Sequence, residues 1–271
     1  MALLVRSWNL FHGNASPPDR GTYLEEMVRL AGADGPDLLC LQEVPAWGLE
    51  RLGDWSGMAV FADLAARPSL GPFPSTPELG RRLTALNPGV LRSAFAGQGN
   101  AILGVAALRP LDRRVLVLNP RSFRRYQARE LGLDLVTRLA WARERRICQT
   151  VRFGLPDGRT ALVTNLHATS SPADLRLPDA ELLRAAVFAG GLARPGEIVV
   201  LAGDFNVEPG RSRTLAALAG PEWGFSAPGE GLDHVLVRGA AASRQECWPP
   251  ERRRPGGRTL SDHSPVEVRI Q

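Results

Sequence analysis

A chain of 271 residues with 44% hydrophobic and 23% charged residues can bury a large core and has the composition of an ordinary soluble globular protein. Its formal net charge of +5 comes from arginine alone: all 33 basic residues are arginine, a uniformity that reads as coding bias but still leaves a surface suited to phosphate-bearing partners. With no apolar run near the roughly 20 residues that span a bilayer, no signal-type opening and only three scattered cysteines, neither a membrane anchor nor a disulfide scaffold is expected, and a cytoplasmic location is.

Leu3 to Leu10 reads as a strand ending near Asn9, followed by a loop from Gly13 to Gly21. Tyr23 to Leu30 carries apolar residues at helical spacing and is stopped by Gly32, Gly35 and Pro36. Leu38 to Val44 is a nearly continuous apolar run that ends in Gln42-Glu43, so it reads as an inner strand with a polar end. The stretch from Ala65 to Gly99 is rich in Pro, Gly and Ser around one helix, Glu78 to Leu86, and reads as an excursion from the scaffold.

Asn100 to Ala107 and Val115 to Leu118 are expected as strands. Arg121 to Arg146 is arginine-dense and partly helical, either a solvated face or a surface that tracks phosphates. Ile147 to Phe153 and Ala161 to Leu166 are paired strands across the turn Pro156-Asp157-Gly158. A helix from Leu175 to Ala189 leads to the strand Ile198 to Asp204, bounded by Pro195-Gly196 and Pro209-Gly210. A helix from Arg211 to Ala219, a strand from Leu232 to Val237 and a last strand from Val266 to Ile270 complete one α/β domain spanning 1–271. Cys40 and Cys148, inside apolar runs, are expected as reduced core thiols.

Six polar stretches each sit at a strand end: Trp8-Asn9, Gln42-Glu43, Asn165-Leu166-His167, Gly203-Asp204-Phe205-Asn206, Leu232-Asp233-His234 and Ser261-Asp262-His263. Brought to one rim, their acids and amides suit a hard cation, magnesium or manganese, and their histidines suit acid–base work. Strand alternation puts Asp204 and Asn206 on one side. Taken alone, that pair fits a polar turn as well as it fits a ligand site.

In these motifs, taken in order over essentially the whole chain, the sequence resembles the endonuclease/exonuclease/phosphatase superfamily of deoxyribonuclease-I-like phosphodiesterases. The resemblance implies a four-layered α/β sandwich, two packed mixed sheets flanked by helices, with the site at one rim. It implies that Glu43 is the principal metal ligand, with Asn9 and Asp262 completing the site, and that Asp204 and Asn206 line the scissile phosphate. His167 would contact a phosphate oxygen or protonate the leaving group. His263 would be the base for water, oriented by Asp233. Glu144 or Arg145 would support the histidine or the phosphate, and Asn100 would shape a turn. His234 reads as structural, and His12 and Asn14 are explained equally well by loop composition.

The superfamily's chemistry spans nucleases, sphingomyelinases and phosphatases. The basic balance favours a nuclease acting on DNA or RNA, and a monomer is expected. The alternatives are a sphingomyelinase-like or small-molecule phosphoesterase and a catalytically silent phosphate-binding module. A lipid-directed enzyme would want an exposed apolar anchor, for which Leu64 to Phe73 is the one weak candidate in the sequence.

Overall fold

The computed structural model describes residues 2–70, 73–86, 96–171 and 173–271. Residues 87–95, part of the expected excursion, and residues 71–72, within the Leu64–Phe73 segment, lie outside them. Strands β1 (Leu3–Asn9), β2 (Leu38–Val44), β3 (Ala59–Ala66), β6 (Gln98–Gly104), β12 (Glu246–Cys247) and β13 (Val266–Ile270) form a six-stranded sheet in the order β12-β13-β1-β2-β6-β3. Strands β7 (Arg109–Val117), β8 (Ile147–Gly154), β9 (Thr160–His167), β10 (Ile198–Asp204) and β11 (Asp233–Arg238) form a second sheet in the order β11-β10-β9-β8-β7. A two-stranded ribbon, β4 (Ser69–Leu70) and β5 (Phe73–Pro74), stands apart.

The sheets pack face to face over Val5, Leu38, Cys40, Ile102, Val151, Phe153, Val163, Val200 and Val268, all buried. Outside the first sheet lie α1 (Leu24–Gly32) and α2 (Leu52–Ser56), whose Leu24, Met27, Val28 and Leu52 pack on Leu39 and Leu41. Outside the second lie α6 (Arg176–Leu192) and α7 (Arg213–Leu218), whose Leu182, Ala185, Leu215 and Leu218 pack on Val199 and Leu201. The result is the expected four-layered sandwich of two mixed sheets flanked by helices. Helices α3 (Pro77–Leu86), α4 (Arg121–Glu130) and α5 (Leu135–Ala142) complete the helices of the described residues. Burial pushes the Cys40 thiol up to about 12, in line with an inert core cysteine.

Topology explains why the polar strand ends meet. β1 and β2 run parallel, and β13 runs antiparallel to β1, so Ser7 pairs with the first residue of β13, Val266. In the other sheet β9 and β10 run parallel while β11 returns antiparallel, pairing Asp204 with Asp233 and with His167. The ends of four strands and the beginnings of two others therefore share one rim. A buried polar bridge fixes the two sheets just beneath it. Gln42 Nε2 donates to Asn165 Oδ1 at 2.8 Å, and Asn165 Nδ2 donates to the carbonyls of Leu41 and Ala101 at 3.0 Å each. Both side chains are fully buried, so a lost partner would leave an amide unsatisfied in the core.

Two edge strands depart from the sequence expectation. β3 is alanine-rich without alternation, and β7 begins at Arg109 rather than Val115 because its first half is arginine and aspartate exposed at the sheet edge. β6 begins at Gln98 and ends at Gly104, where a turn replaces the last residues expected in the strand.

Gly203 is the most constrained glycine at the rim. Its φ is +139°, and a Cβ there would lie 1.9 Å from the carbonyl oxygen of Leu166 on β9. Gly203→Ala should therefore separate β9 from β10, costing at least about 3 kcal/mol, or a Tm fall of roughly 6–12 °C in thermal denaturation. An unchanged Tm would contradict this close approach.

Candidate active site

Asp204, the last residue of β10, lies at the centre of the rim and is buried. Asn9 Nδ2 donates to its Oδ2 at 2.9 Å, His167 Nε2 lies 3.5 Å from that oxygen and His263 Nε2 lies 3.8 Å from it. Its Oδ1 accepts from the backbone N–H of Asn206 at 3.0 Å. Asn206 lies beyond the strand with φ +53°, so this turn, and not strand alternation, brings it beside Asp204. The Asn206 side chain donates to the Ala168 carbonyl at 3.0 Å, fixing the loop that follows His167.

His263 Nδ1 is 2.6 Å from Asp233 Oδ2, an acid–imidazole pair across 30 residues of sequence. The loop that carries His263 is tied to β1. Ser261, at φ +59°, donates its hydroxyl to the Asn9 carbonyl at 2.7 Å and accepts from the His263 N–H at 3.0 Å, while Trp8 Nε1 donates to the His263 carbonyl at 2.9 Å. Asp262 and His263 thus reach one site from a loop, as adjacent residues on a strand could not. Asp262 Oδ1 is 4.0 Å from His263 Nε2.

Glu43 sits at a bulge where the β2–β6 register shifts, with φ +51°. His167 Nε2 is 3.6 Å from its Oε1, and His12 Nε2 is 3.1 Å from its Oε2. His12 is buried within a left-handed turn, Phe11–Gly13, whose first N–H is held by Asn9 Oδ1 at 3.0 Å. Asn9 thus directs its nitrogen to Asp204 and its oxygen to the backbone.

Sequence reasoning missed two members of the site. His12 was indistinguishable from loop composition, since its pairing depends on consecutive left-handed residues. The other is Arg146, buried with its Nη1 2.8 and 2.9 Å from the two ring nitrogens of His167 and its Nη2 paired with Glu144. Of the two expected support residues, Glu144 acts through Arg146, whereas Arg145 donates to the carbonyls of Leu64 and Ala65. Asn100 is buried and donates to the Ile147 carbonyl at 3.3 Å, and His234 is buried against the Val207 carbonyl at 3.0 Å. His234 takes no part in the rim.

The electrostatics are those of a site with surplus negative charge. Burial pushes the Asp204 carboxyl up to about 7, with Asp233 and Glu43 adding repulsion against the pull of His263 and the Asn9 amide. Partial desolvation, with Glu43 adding to it, also raises Asp262, whose side chain is 43% exposed, although His263 opposes the shift. Burial alone would lower His263, but the charge and hydrogen bond of Asp233, with Asp204 and Asp262, lift it to about 10. His167 moves the other way: burial holds it well below its usual range, and Arg146, His263 and His12 add to the effect.

Raised carboxyls beside a raised histidine are the signature of an acidic pocket short of positive charge. The oxygen-rich donor set fits a hard divalent cation on the side of Glu43 and Asp262. Among the described residues, Asp204, Asp233 and His263 are the group whose ligand atoms all lie within 4.8 Å of one another. His263 Nδ1 and Asp233 are already paired, which favours an acid–base role for that trio.

Such a rim closes one end of an α/β sandwich of two mixed sheets flanked by helices. The chain belongs to the Endonuclease/Exonuclease/phosphatase family, whose profile matches residues 7–263. Its fold is similar to that of a functionally unknown conserved protein from Enterococcus faecalis V583, with a TM-score of 0.67 at 15% identity over 99% of both chains. It is similar to a family protein from Bacteroides thetaiotaomicron, with a TM-score of 0.64 at 17% identity over 100% of this chain and 97% of that one. It is also similar to TDP2 from Caenorhabditis elegans, with a TM-score of 0.60 at 14% identity over 100% of this chain and 74% of that one. No curated protein sequence matches the chain.

The raised Asp204 has a definite linkage sign. A carboxyl whose folded pKa, about 7, exceeds its unfolded value favours the folded state only while protonated, so stability falls as pH rises from about 4 to 7. In chelator, Tm of the wild type should fall more over that window than Tm of Asp204→Asn, and adding a divalent cation at pH 7 should raise the wild-type Tm. Equal pH slopes for the two proteins would contradict the assignment.

Proposed function

We propose that the protein is a divalent-metal-dependent phosphodiesterase, using magnesium or manganese to hydrolyse phosphodiester bonds of DNA or RNA. The observation that carries this reading is the Asp233–His263 pair at 2.6 Å, held 3.8 Å from Asp204 in an acidic pocket. Glu43 and Asp262, with Asn9 beside them, would hold the ion, which supplies charge neutralisation on the phosphoryl oxygens. His12 fixes one oxygen of Glu43 and leaves the other toward the site.

Asp233 fixes the tautomer of His263 and leaves Nε2 to take a proton from water. A cation held there would offset the carboxylates that raise His263, and the imidazole would then be neutral and basic in the working pH range. His167 donates an N–H to a phosphate oxygen, and Arg146 behind it adds a fixed positive charge. Asp204, which accepts from the Asn9 amide and the Asn206 N–H, lies beside His167, and the two assist the phosphate and the leaving oxygen while Asn206 shapes the adjoining wall. A family of typically hydrolytic phosphoesterases and a rim complete in these groups support the reading over a silent phosphate-binding module. The chain is expected to act as a cytoplasmic monomer.

Purified protein with magnesium or manganese should cut plasmid DNA or single-stranded RNA. Glu43→Ala should abolish cleavage, and His263→Ala should lower kcat by about 10²–10⁴-fold. Cleavage of a sphingolipid or small phosphodiester but of no nucleic acid would replace the substrate and keep the mechanism. Nucleic-acid binding without hydrolysis under any divalent metal would leave the silent-module alternative.

Arg146→Met should lower kcat/KM by about 100-fold and let the His167 ring titrate at higher pH in NMR, because the neighbouring fixed charge is gone. An unshifted His167 would contradict the guanidinium's role.

A further inference from the structure

Between β7 and β8 the chain leaves the sandwich to form α4 and α5. This insert closes at its base, where the Leu118 N–H donates to the Arg146 carbonyl and the Arg146 N–H donates to Asn119 Oδ1, both at 2.9 Å. It has a small core of its own, Ala128, Leu133 and Trp141 with Leu177 of α6, capped by the Phe123 ring edge-on to Trp141. Trp141 Nε1 donates to buried Glu181 at 2.6 Å, which pins the insert to α6.

The lobe is unusual in two ways. First, residues 121–146 contain eight arginines and three acidic residues, a net of +5 that equals the formal charge of the entire chain, so the remaining residues balance to zero. Arg121, Arg125 and Arg129 recur every four residues on α4 and are exposed, and with Arg138 they form no ion pair among the described residues. Second, α5 exposes Leu135, Val136 and Leu139 at 65%, 77% and 60%, with Tyr126 of α4 at 61%. Single exposed aliphatics are common, but three on two turns of one helix, with exposed Arg138 on the same turns, form a patch.

We propose that the α4–α5 lobe docks the protein on an anionic lipid surface. A bilayer with acidic headgroups satisfies both halves of the patch: the aliphatic side chains enter the headgroup–acyl boundary and the guanidiniums meet headgroup phosphates. A nucleic acid would engage the arginines and stack on Tyr126 but leave Leu135, Val136 and Leu139 in water, since base binding does not draw on branched aliphatics. The docking surface goes beyond the hydrolytic reading and is independent of it. Because the insert's base is the residue that meets His167, docking also sets the orientation of the rim relative to the lipid.

Vesicle flotation at about 0.15 M salt tests this. The wild-type chain should float with phosphatidylcholine vesicles rich in phosphatidylglycerol and not with phosphatidylcholine alone. Arg121→Ser/Arg125→Ser/Arg129→Ser should weaken the partition by about 100-fold, at roughly one kcal/mol for each basic residue near the surface. Leu135→Ser/Val136→Ser/Leu139→Ser should release the protein from the vesicles while leaving its unfolding midpoint and any hydrolysis of a soluble phosphodiester unchanged. The proposal is overturned if the wild type fails to float with the anionic vesicles or floats equally with neutral ones. It is also overturned if the aliphatic variant floats as the wild type does, which would be plain electrostatic adsorption. Binding of a DNA oligonucleotide that is lost only in the arginine variant, without vesicle flotation, would assign the stripe to nucleic acid instead.

Discussion

The constraint on which the site depends is the gathering of Glu43, Asp204, Asp233 and Asp262 at one rim, with Asp204 and Asp233 buried, Glu43 half-buried and Asp262 at the exposed edge. Four carboxylates so close cannot all keep their charge in a partly desolvated place unless positive charge comes to them. The chain supplies part of it through His263, paired with Asp233, and through Arg146 behind His167. The remainder shows itself in the raised Asp204 and Asp262 and in the raised His263. A divalent cation relieves this imbalance, which is why a cation and a working base belong to one account.

Backbone topology creates that gathering. Parallel pairs β1–β2 and β9–β10 end together, antiparallel β13 and β11 start there, and the Gln42–Asn165 bridge locks the two sheets beneath the rim. Local strain then aims the side chains: Glu43, Asn206 and Ser261 all have positive φ, and each lies at the point where its strand or loop turns toward the pocket.

Much of this was legible in the sequence, because a polar motif at the end of an apolar run marks a strand end whatever the fold. Asn9, Glu43, His167, Asp204, Asp233 and His263 were recognisable in that way, and so were the core strands around them. The edge strands β3 and β7 were less so, since solvent on their faces removes the apolar pattern that identifies a strand. His12 was hidden because its approach to Glu43 requires a left-handed turn that no propensity announces. Arg146 was hidden among neighbours of the same type: three arginines within four residues look alike in sequence, and only burial distinguishes the one facing His167 from the one holding the Leu64 carbonyl. The exposed leucines of α5 escaped notice for the same reason, since only tertiary packing decides which face of a short helix is covered.

The most direct measurement is the anomalous scattering of manganese in crystals grown with that ion. The expected result is a peak within coordination distance of Glu43 and Asp262, with Nε2 of His263 left uncoordinated. A peak on the Asp233–His263 pair, or a rim that takes up no manganese at millimolar concentration, would contradict the division of this pocket into a cation side and an acid–base side.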